Sequence, residues 1–303
     1  MPAGLLGIEP LERGEIESIL ERARHFQPAG DHSFKRLDVL RGRMVVNLFY
    51  EASTRTRTSF EIAAKRLGAD AISITASASS VSKGESLVDT LNTLTAMRPD
   101  AIIMRHAASG APNFLARHLP TPIINAGDGT HEHPTQALLD ALTILDRLPR
   151  LEGLRVAIIG DIAHSRVARS NIHLLSKFGA EVVLCGPAPL LPPEFVRFAP
   201  GVSLTTDMRE AIKEVDVIMM LRVQLERQHE AAFPAGEYFQ FYGLRLEHIA
   251  LAKPDVIVMH PGPINRGREI ASEVADSQRS VILNQVENGV AVRMAVLERV
   301  LLN

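Results

Sequence analysis

The chain has 303 residues, 46% hydrophobic and 22% charged. That is the balance of a globular protein long enough for about two domains. Lys plus Arg total 33 against 35 Asp plus Glu, a net charge of −2, which argues against nucleic acid or an acidic membrane as the main partner. The single cysteine, Cys185, excludes a disulfide framework and a multi-cysteine metal site.

The opening stretch, MPAGLLGIEPLERGEIESIL, is acidic and amphipathic and lacks the basic region and long apolar run of a secretory signal. A cytoplasmic protein is expected. Short apolar runs then alternate with helical patterns. Strands are expected at Val45–Phe49, Ala71–Thr75, Ala101–Met104 and Pro122–Asn125. A second set is expected at Arg155–Gly160, Glu181–Leu184, Val202–Thr205, Val217–Met220 and Val256–Met259. Amphipathic helices are expected at Thr58–Leu67, Leu87–Met97 and Arg166–Lys177. Strands buried on both faces and separated by helices imply parallel sheets in βα units, hence an α/β fold. Pro134–Leu148 reads as a long helix that LPRLEG (148–153) breaks before a fresh strand, so a domain boundary is expected near residue 150. The last stretch, Gln285–Leu302, reads as one helix that could cover either domain.

Seven stretches carry chemistry. Ser53-Thr54-Arg55-Thr56-Arg57 follows a strand and opens a helix. Helix N-termini attract anions, and Arg adds charge-assisted donors. Capping explains one hydroxyl but not two cations at the positive end of a helix dipole. An anion site is the better reading. Ser79-Ser80-Val81-Ser82-Lys83-Gly84-Glu85-Ser86 reads as a solvated loop, or as a loop whose cation closes over an anionic ligand. Met104-Arg105-His106 ends an apolar strand, where ligands bind in open α/β sheets.

His131-Glu132-His133-Pro134-Thr135-Gln136 places Pro134 in a first helical turn. Its HxH spacing lacks the i, i+4 face of a zinc helix. A hydrogen-bonding His133 with Gln136 one turn on is more economical than a metal site. Val156–Arg166 resembles a dinucleotide turn, but positions 160, 162 and 165 read Gly, Ile and Ser, so the fingerprint fails. Arg166 instead opens a helix, a second anion-binding placement. Leu221-Arg222-Val223-Gln224-Leu225-Glu226-Arg227 and His260-Pro261-Gly262-Pro263-Ile264-Asn265-Arg266-Gly267 each follow an apolar strand. Cys185 is expected to be buried at a strand end and inert.

Together, in this order, the stretches resemble the aspartate/ornithine carbamoyltransferase family. Ser53-Thr54-Arg55-Thr56-Arg57 is similar to its carbamoyl-phosphate motif, and His133-Pro134-Thr135-Gln136 to its second signature. Arg222-Val223-Gln224 with Glu226-Arg227, and the His260–Arg266 loop, resemble the aspartate-using branch. The ornithine branch carries a cysteine in that loop, and this chain has none near 260. Aspartate presents two carboxylates and needs cations, whereas ornithine would need an acid for its side-chain ammonium.

The resemblance implies an α/β fold of two domains, each a parallel β-sheet flanked by helices. Residues 1–149 would bind carbamoyl phosphate and 150–284 aspartate, and a C-terminal helix, 285–303, would pack back on the first. It implies that Ser53, Thr54, Arg55, Thr56 and Arg105 hold the phosphate. Thr56, Arg105 and His133 would polarise the carbonyl oxygen. Gln136 and the backbone carbonyls of Gly262 and Pro263 would hold the carbamoyl nitrogen. Ser79 and Lys83 would reach in from a neighbouring subunit of a homotrimer. Arg166, Arg222 and Gln224 would orient aspartate, and Glu51 and Arg227 would pair in a closed state. No cofactor or metal is implied. A regulatory chain or a dihydroorotase-like enzyme is the further partner such a trimer would admit. The alternatives are a carbamoyltransferase for ornithine or another amino acid, and a ligand-binding subunit without catalysis.

Overall fold

The structure is a computed structural model. It describes residues 4–28, 36–75, 86–222 and 235–302. By backbone contacts the chain forms two compact units, Met1–Leu139 with Val286–Asn303, and Asp140–Gln285.

The first unit is built on four parallel strands, β1 (Met44–Phe49), β2 (Asp70–Thr75), β3 (Ala101–His106) and β4 (Ile123–Asp128), in the order β2-β1-β3-β4. Helices α1 (Arg13–Phe26), α2 (Thr54–Arg66), α3 (Leu87–Ala96) and α4 (Ala111–Ala116) belong to it, and α5 (Pro134–Leu145) begins in it. The central strands are buried almost end to end, which is why β1 and β3 read as continuous apolar runs. β2 is an edge strand and is largely exposed.

The second unit carries β5 (Arg155–Ile159), β6 (Glu181–Cys185), β7 (Val202–Thr205), β8 (Val217–Met220) and β9 (Ile257–Met259), parallel in the order β7-β6-β5-β8-β9. Helices α6 (Arg166–Lys177), α7 (Met208–Ile212), α8 (Ala235–Tyr242), α9 (Leu246–Ile249) and α10 (Ser272–Ala275) accompany it. Its core packs Ala157, Ile159, Ile218, Met220, Tyr238 and Val258 into one buried cluster.

The last helix, α11 (Ile282–Leu302), crosses from the second unit into the first. Its later turns dock on α1, where Arg22 Nη2 donates to Glu298 Oε1 at 2.7 Å and Gln27 Nε2 to Asn288 Oδ1 at 2.8 Å. The Arg293 guanidinium lies over the Phe60 ring of α2, 5.1 Å from its centre, and Gly289 lies beside Leu139 of α5. The C-terminal helix therefore packs back on the first sheet's helices.

Three expected elements, β7, β8 and α6, keep their bounds. Others shift. The helix expected at Thr58 starts at Thr54, because the hydroxyl-and-arginine run forms its first turn behind an extended Ser53 (φ −161°). β3 and β4 run on to His106 and Asp128, past their apolar cores. α11 begins three residues before Gln285.

Strand order reverses once in each sheet. β2 lies on one side of β1 and β3 on the other; β6 lies on one side of β5 and β8 on the other. At such a point the two outgoing connections leave over opposite faces and open a crevice at the carboxyl ends of the strands. Gly160 makes the second of these ends possible. Its φ is +139°, and a Cβ there would sit 2.9 Å from Leu221 Cβ. A Gly160→Ala chain should lose about 2–4 kcal/mol of stability through strain and overpacking. Thermal unfolding checks this, and an unchanged midpoint would remove Gly160 from that role.

Candidate active site

The first switch point is lined by the run after β1. Ser53 is the N-cap of α2, yet its hydroxyl makes no capping hydrogen bond, and the first turn holds no acid. Arg55 and Arg57 instead stand within that turn, Arg55 exposed and Arg57 half-buried. Two cations at the positive end of a helix cost roughly 0.3–1 kcal/mol each without an anion to offset them. Arg57 is balanced in part by Glu61, 4.0 Å away across one turn. Thr56 is buried at the base of the turn, and Thr54 is exposed. Ser53–Thr56 thus combines backbone N–H groups, hydroxyls and a guanidinium in one short arc, the donor set an oxyanion of phosphate requires.

Arg105 comes from the end of β3, the strand across the same switch point. Its Nε lies 3.5 Å from Glu51 Oε2 and its Nη1 donates to the Ala126 carbonyl at 3.2 Å. Glu51 leaves β1 only two residues after its end. The two strands that flank the reversal are therefore tied together by an ion pair directly above it. His106 is held inward. Its Nδ1 accepts from the Ala108 N–H at 2.9 Å, its ring meets Tyr50 edge-on at 5.1 Å, and burial lowers its pKa.

The His131–Gln136 segment separates into scaffold and site. Glu132 is buried and accepts from the N–H groups of Ile8 (2.8 Å) and Glu9 (3.2 Å), so it anchors the N-terminal segment. His131 Nδ1 lies 3.0 Å from the Asp128 carboxylate. Asp128 is fully buried and also accepts from Asn125 Nδ2 (2.8 Å), Gly110 N–H (2.6 Å) and Glu132 N–H (3.1 Å). The sequence reading missed this hub, although a charged residue ending an apolar strand run was the available signal. His133 and Gln136 follow this hub in the chain. They are only 4% and 8% exposed, at the first turn of α5, with the His133 carbonyl accepting from the Gln136 N–H at 2.9 Å. Pro134 opens the helix, as a residue without an N–H can.

At the second switch point, Arg166 opens α6 after β5, and Arg222 follows β8. Arg166 is only 5% exposed and Arg222 is half-buried. The N-cap of α6 is Ser165, whose Oγ accepts from the Ala168 N–H at 3.1 Å. Asp161 is turned to scaffold work. It accepts from the His164 N–H at 3.2 Å and lies 2.8 Å from that ring's Nδ1.

After β9, His260 is buried, and its Nδ1 accepts from the Gly262 N–H at 2.8 Å. Its Nε2 then faces Glu269 Oε1 at 3.2 Å, and Glu269 also accepts from the Asn265 N–H at 2.6 Å. The Gly262–Pro263 bond is cis, with Gly262 half-buried and Pro263 exposed. Cys185 ends β6 fully buried, and burial pushes its thiol up to about 12, so it is unreactive at neutral pH. Ser79 and Lys83, and Gln224 and Arg227, lie outside the described residues.

Fold and donor set thus define a two-unit α/β protein with cationic groups of the kind that suits anions at the switch point of each sheet. A family model described as the aspartate/ornithine carbamoyltransferase carbamoyl-P binding domain matches residues 4–146. Its Asp/Orn binding domain counterpart matches residues 152–300. The chain belongs to the aspartate/ornithine carbamoyltransferase family. It is 81% identical over 301 residues to the aspartate carbamoyltransferase catalytic subunit of Solibacter usitatus, covering 99% of this chain and 100% of that one. Identity to the Geobacter sulfurreducens catalytic subunit is 57%, covering 98% and 95%. Among solved structures, ornithine carbamoyltransferase from Pyrococcus furiosus superposes with a TM-score of 0.88 at 31% identity, covering 98% of this chain and 96% of that one. Aspartate transcarbamoylase from Trypanosoma cruzi, in complex with carbamoyl phosphate and aspartate, gives 0.87 at 32%, covering 98% and 95%. No described helix is long and apolar enough to cross a membrane.

The Asp128–His131 pair has a definite pH signature. Burial alone would raise the Asp128 pKa, but hydrogen bonds from His131, Asn125 and Gly110 outweigh it and hold the carboxyl below its ordinary 3.8. Its stabilisation is therefore present above that value and lost as pH falls through the depressed one. The hydrogen bond to Asp128 raises His131 above its ordinary 6.5, against a smaller effect of burial. That contribution is complete below 6.5 and is lost as pH rises through the raised value. A His131→Asn chain should therefore melt below wild type by a margin that is widest near pH 6 and narrows toward alkaline pH. A margin that grows with pH would contradict the pair.

Proposed function

We propose that this chain transfers the carbamoyl group of carbamoyl phosphate to the amine of L-aspartate, giving N-carbamoyl-L-aspartate and phosphate, a step of pyrimidine synthesis. The observation that carries the reading is 81% identity over 301 residues to a protein named aspartate carbamoyltransferase catalytic subunit. The second switch point supports it. Its helix-opening and strand-ending residues are the cations Arg166 and Arg222, while the nearby acid Asp161 is engaged by His164. Such a site suits a dicarboxylate and would repel the ammonium of ornithine.

In this reading residues 1–149 bind carbamoyl phosphate and 150–284 bind aspartate, with 285–303 returning to the first domain. Ser53, Thr54, Arg55, Thr56 and Arg105 hold the phosphate. Gln136 and the carbonyls of Gly262 and Pro263 hold the carbamoyl nitrogen. The aspartate amine attacks the carbamoyl carbon, a C–N bond forms, and the oxyanion is met by Thr56, Arg105 and His133. The C–O bond to phosphate then breaks, and the leaving phosphate takes the amine proton. Positioning and electrostatics supply the rate, so both units must engage their ligands together. Glu51, which pairs with Arg105 here, exchanges toward Arg227 in the closed state. Ser79 and Lys83 serve a neighbouring subunit's site within a homotrimer, and Gln224 completes the aspartate contacts. The setting is cytoplasmic.

The test is a steady-state assay with aspartate or ornithine at fixed carbamoyl phosphate. Product should form with aspartate and not with ornithine. Arg222→Ala should lower kcat/KM for aspartate by about 2–5 kcal/mol, or roughly 30-fold and upward, with little change in carbamoyl-phosphate binding. A variant with unchanged aspartate kinetics would remove Arg222 from the site. Lys83→Ala and His133→Ala homotrimers should each be nearly inactive. Hybrids formed by dissociation and reassociation should regain up to about one site in three. Verified hybrids that stay inactive would place Lys83 in its own chain's site.

A further inference from the structure

A buried chain of amides runs through the second unit. Asp140 Oδ2 accepts from Asn171 Nδ2 at 2.8 Å, and its Oδ1 accepts from Gln285 Nε2 at 2.7 Å. Gln285 Oε1 accepts from the His260 N–H at 2.9 Å. His260 Nδ1 in turn accepts from the Gly262 N–H at 2.8 Å. Asn171 Nδ2 also donates to the Val167 carbonyl at 3.0 Å, in the first turn of the helix that Arg166 opens. Asp140, Asn171, Gln285 and His260 are all buried.

We propose that Asp140 is a positioning residue that sets the polarity of this chain and so holds the Arg166 helix, on the aspartate side, and the Gly262–Pro263 loop, on the carbamoyl side, in register for the reaction. The inference rests on the carbamoyl-transfer reading of those two elements. A carboxylate offers only acceptors, so both neighbouring amides must present their NH2 groups to it. Once the Gln285 NH2 points at Asp140, its oxygen has one direction left, and there it meets the His260 N–H. Reversing Gln285 would leave a buried backbone donor without an acceptor, an arrangement proteins avoid. The Gln285 oxygen thereby fixes the His260 backbone where the loop begins, and the His260 ring, held by Glu269 at its Nε2, accepts from the Gly262 N–H within that loop. At the other oxygen, Asn171 is held against the turn that carries Arg166. Asp140 also lies one helical turn after Gln136 on α5, on the same helix face. One continuous helix therefore carries both the carbamoyl-nitrogen partner Gln136 and the carboxylate that orders the amide chain.

Asp140→Asn is nearly isosteric but places an NH2 where one amide donor already points. In the full-length enzyme it should lower kcat/KM for aspartate by about 10–100-fold, the scale of a misplaced contact. Direct binding of inorganic phosphate should change by less than about 3-fold, because the Ser53–Thr56 arc is untouched. The double variant Asp140→Asn with Gln285→Glu restores donor–acceptor parity. The amide introduced at position 140 then donates to a carboxylate at 285 that still accepts from the His260 N–H. The double variant should recover aspartate kinetics to within about 5-fold of wild type. Recovery of the melting temperature without recovery of kinetics would reduce Asp140 to a structural role and overturn the proposal. So would a single variant with wild-type aspartate kinetics. If Asp140→Asn does not fold, Asn171→Ala gives the same reading, and wild-type kinetics there overturn the proposal equally. A wild-type enzyme that carbamoylates no aspartate overturns the reaction itself. An active wild type beside an unimpaired variant overturns the positioning role alone.

Discussion

A parallel strand buried on both faces has no room for unsatisfied polar groups along its length. β5 and β8 show the constraint in full: Val156 to Ile159 and Val217 to Met220 are buried without exception. The polar exception within β1, Asn47, is satisfied only in part: its Nδ2 donates to Ser73 Oγ of the neighbouring strand, which in turn donates to Glu61 of α2, while its buried Oδ1 has no partner among the described residues. Chemistry is thereby expelled to the strand ends, and strand order decides which ends are useful. Both sheets reverse once, beside β1 and beside β5. The residues that leave those strands and their neighbours across the reversal are Ser53–Thr56 with Arg105, and Arg166 with Arg222. Two unrelated stretches of sequence thus converge on one layout because the same packing rule acts on each.

A second regularity follows from charge. The buried acids near these ends are turned to scaffold work: Asp128 on Gly110 and Glu132 N–H groups, Glu132 on Ile8 and Glu9, Glu269 on Asn265. Backbone donors, joined at Asp128 by His131 and at Glu269 by His260, satisfy these carboxylates and keep their charge local. The strand ends that remain for ligands therefore present cations, hydroxyls and amides. That asymmetry suits two anionic substrates. It also gives the HxH segment its meaning, since its acid and first histidine hold loops while His133 and Gln136 share the first turn of α5.

The apolar core of each strand was legible in the sequence because burial on both faces writes a continuous run. β8, buried at all four positions, keeps its expected ends for that reason; β7, an edge strand with only Val202 buried, keeps them on a shorter signal. Where a strand continues as polar residues, as β3 does through Arg105 and His106, the run stops before the hydrogen bonds do. The start of α2 was misplaced because Thr and Arg carry little apolar periodicity, although the Ser53 cap was in plain view. The candidate ligand residues were legible as motifs, each short and contiguous after a strand. Asp140, Asn171 and Gln285 were not. Their partners lie 31 and 145 residues apart in the chain, and a lone amide or acid within a helix pattern looks like surface until the fold is known.

The buried amide chain and the strand-end cations are different answers to one problem. A cation at a helix start locates an anion through charge, which acts over several ångströms and tolerates small errors in direction. A backbone carbonyl that must hold an amide nitrogen has no such tolerance, because a hydrogen bond weakens steeply off its axis. The Gly262–Pro263 loop packs Ile264 against the core, which fixes its place more than the direction of its carbonyls. In the proposed arrangement that direction comes from groups whose donor and acceptor ends are not interchangeable, Asp140 and then Gln285, which meets the His260 N–H. The acceptor-only residue at the head of such a series fixes the orientation of the two amides that meet it. Placing it on α5, one turn beyond Gln136, puts the orienting group on the most buried helix that also starts at the strand ends.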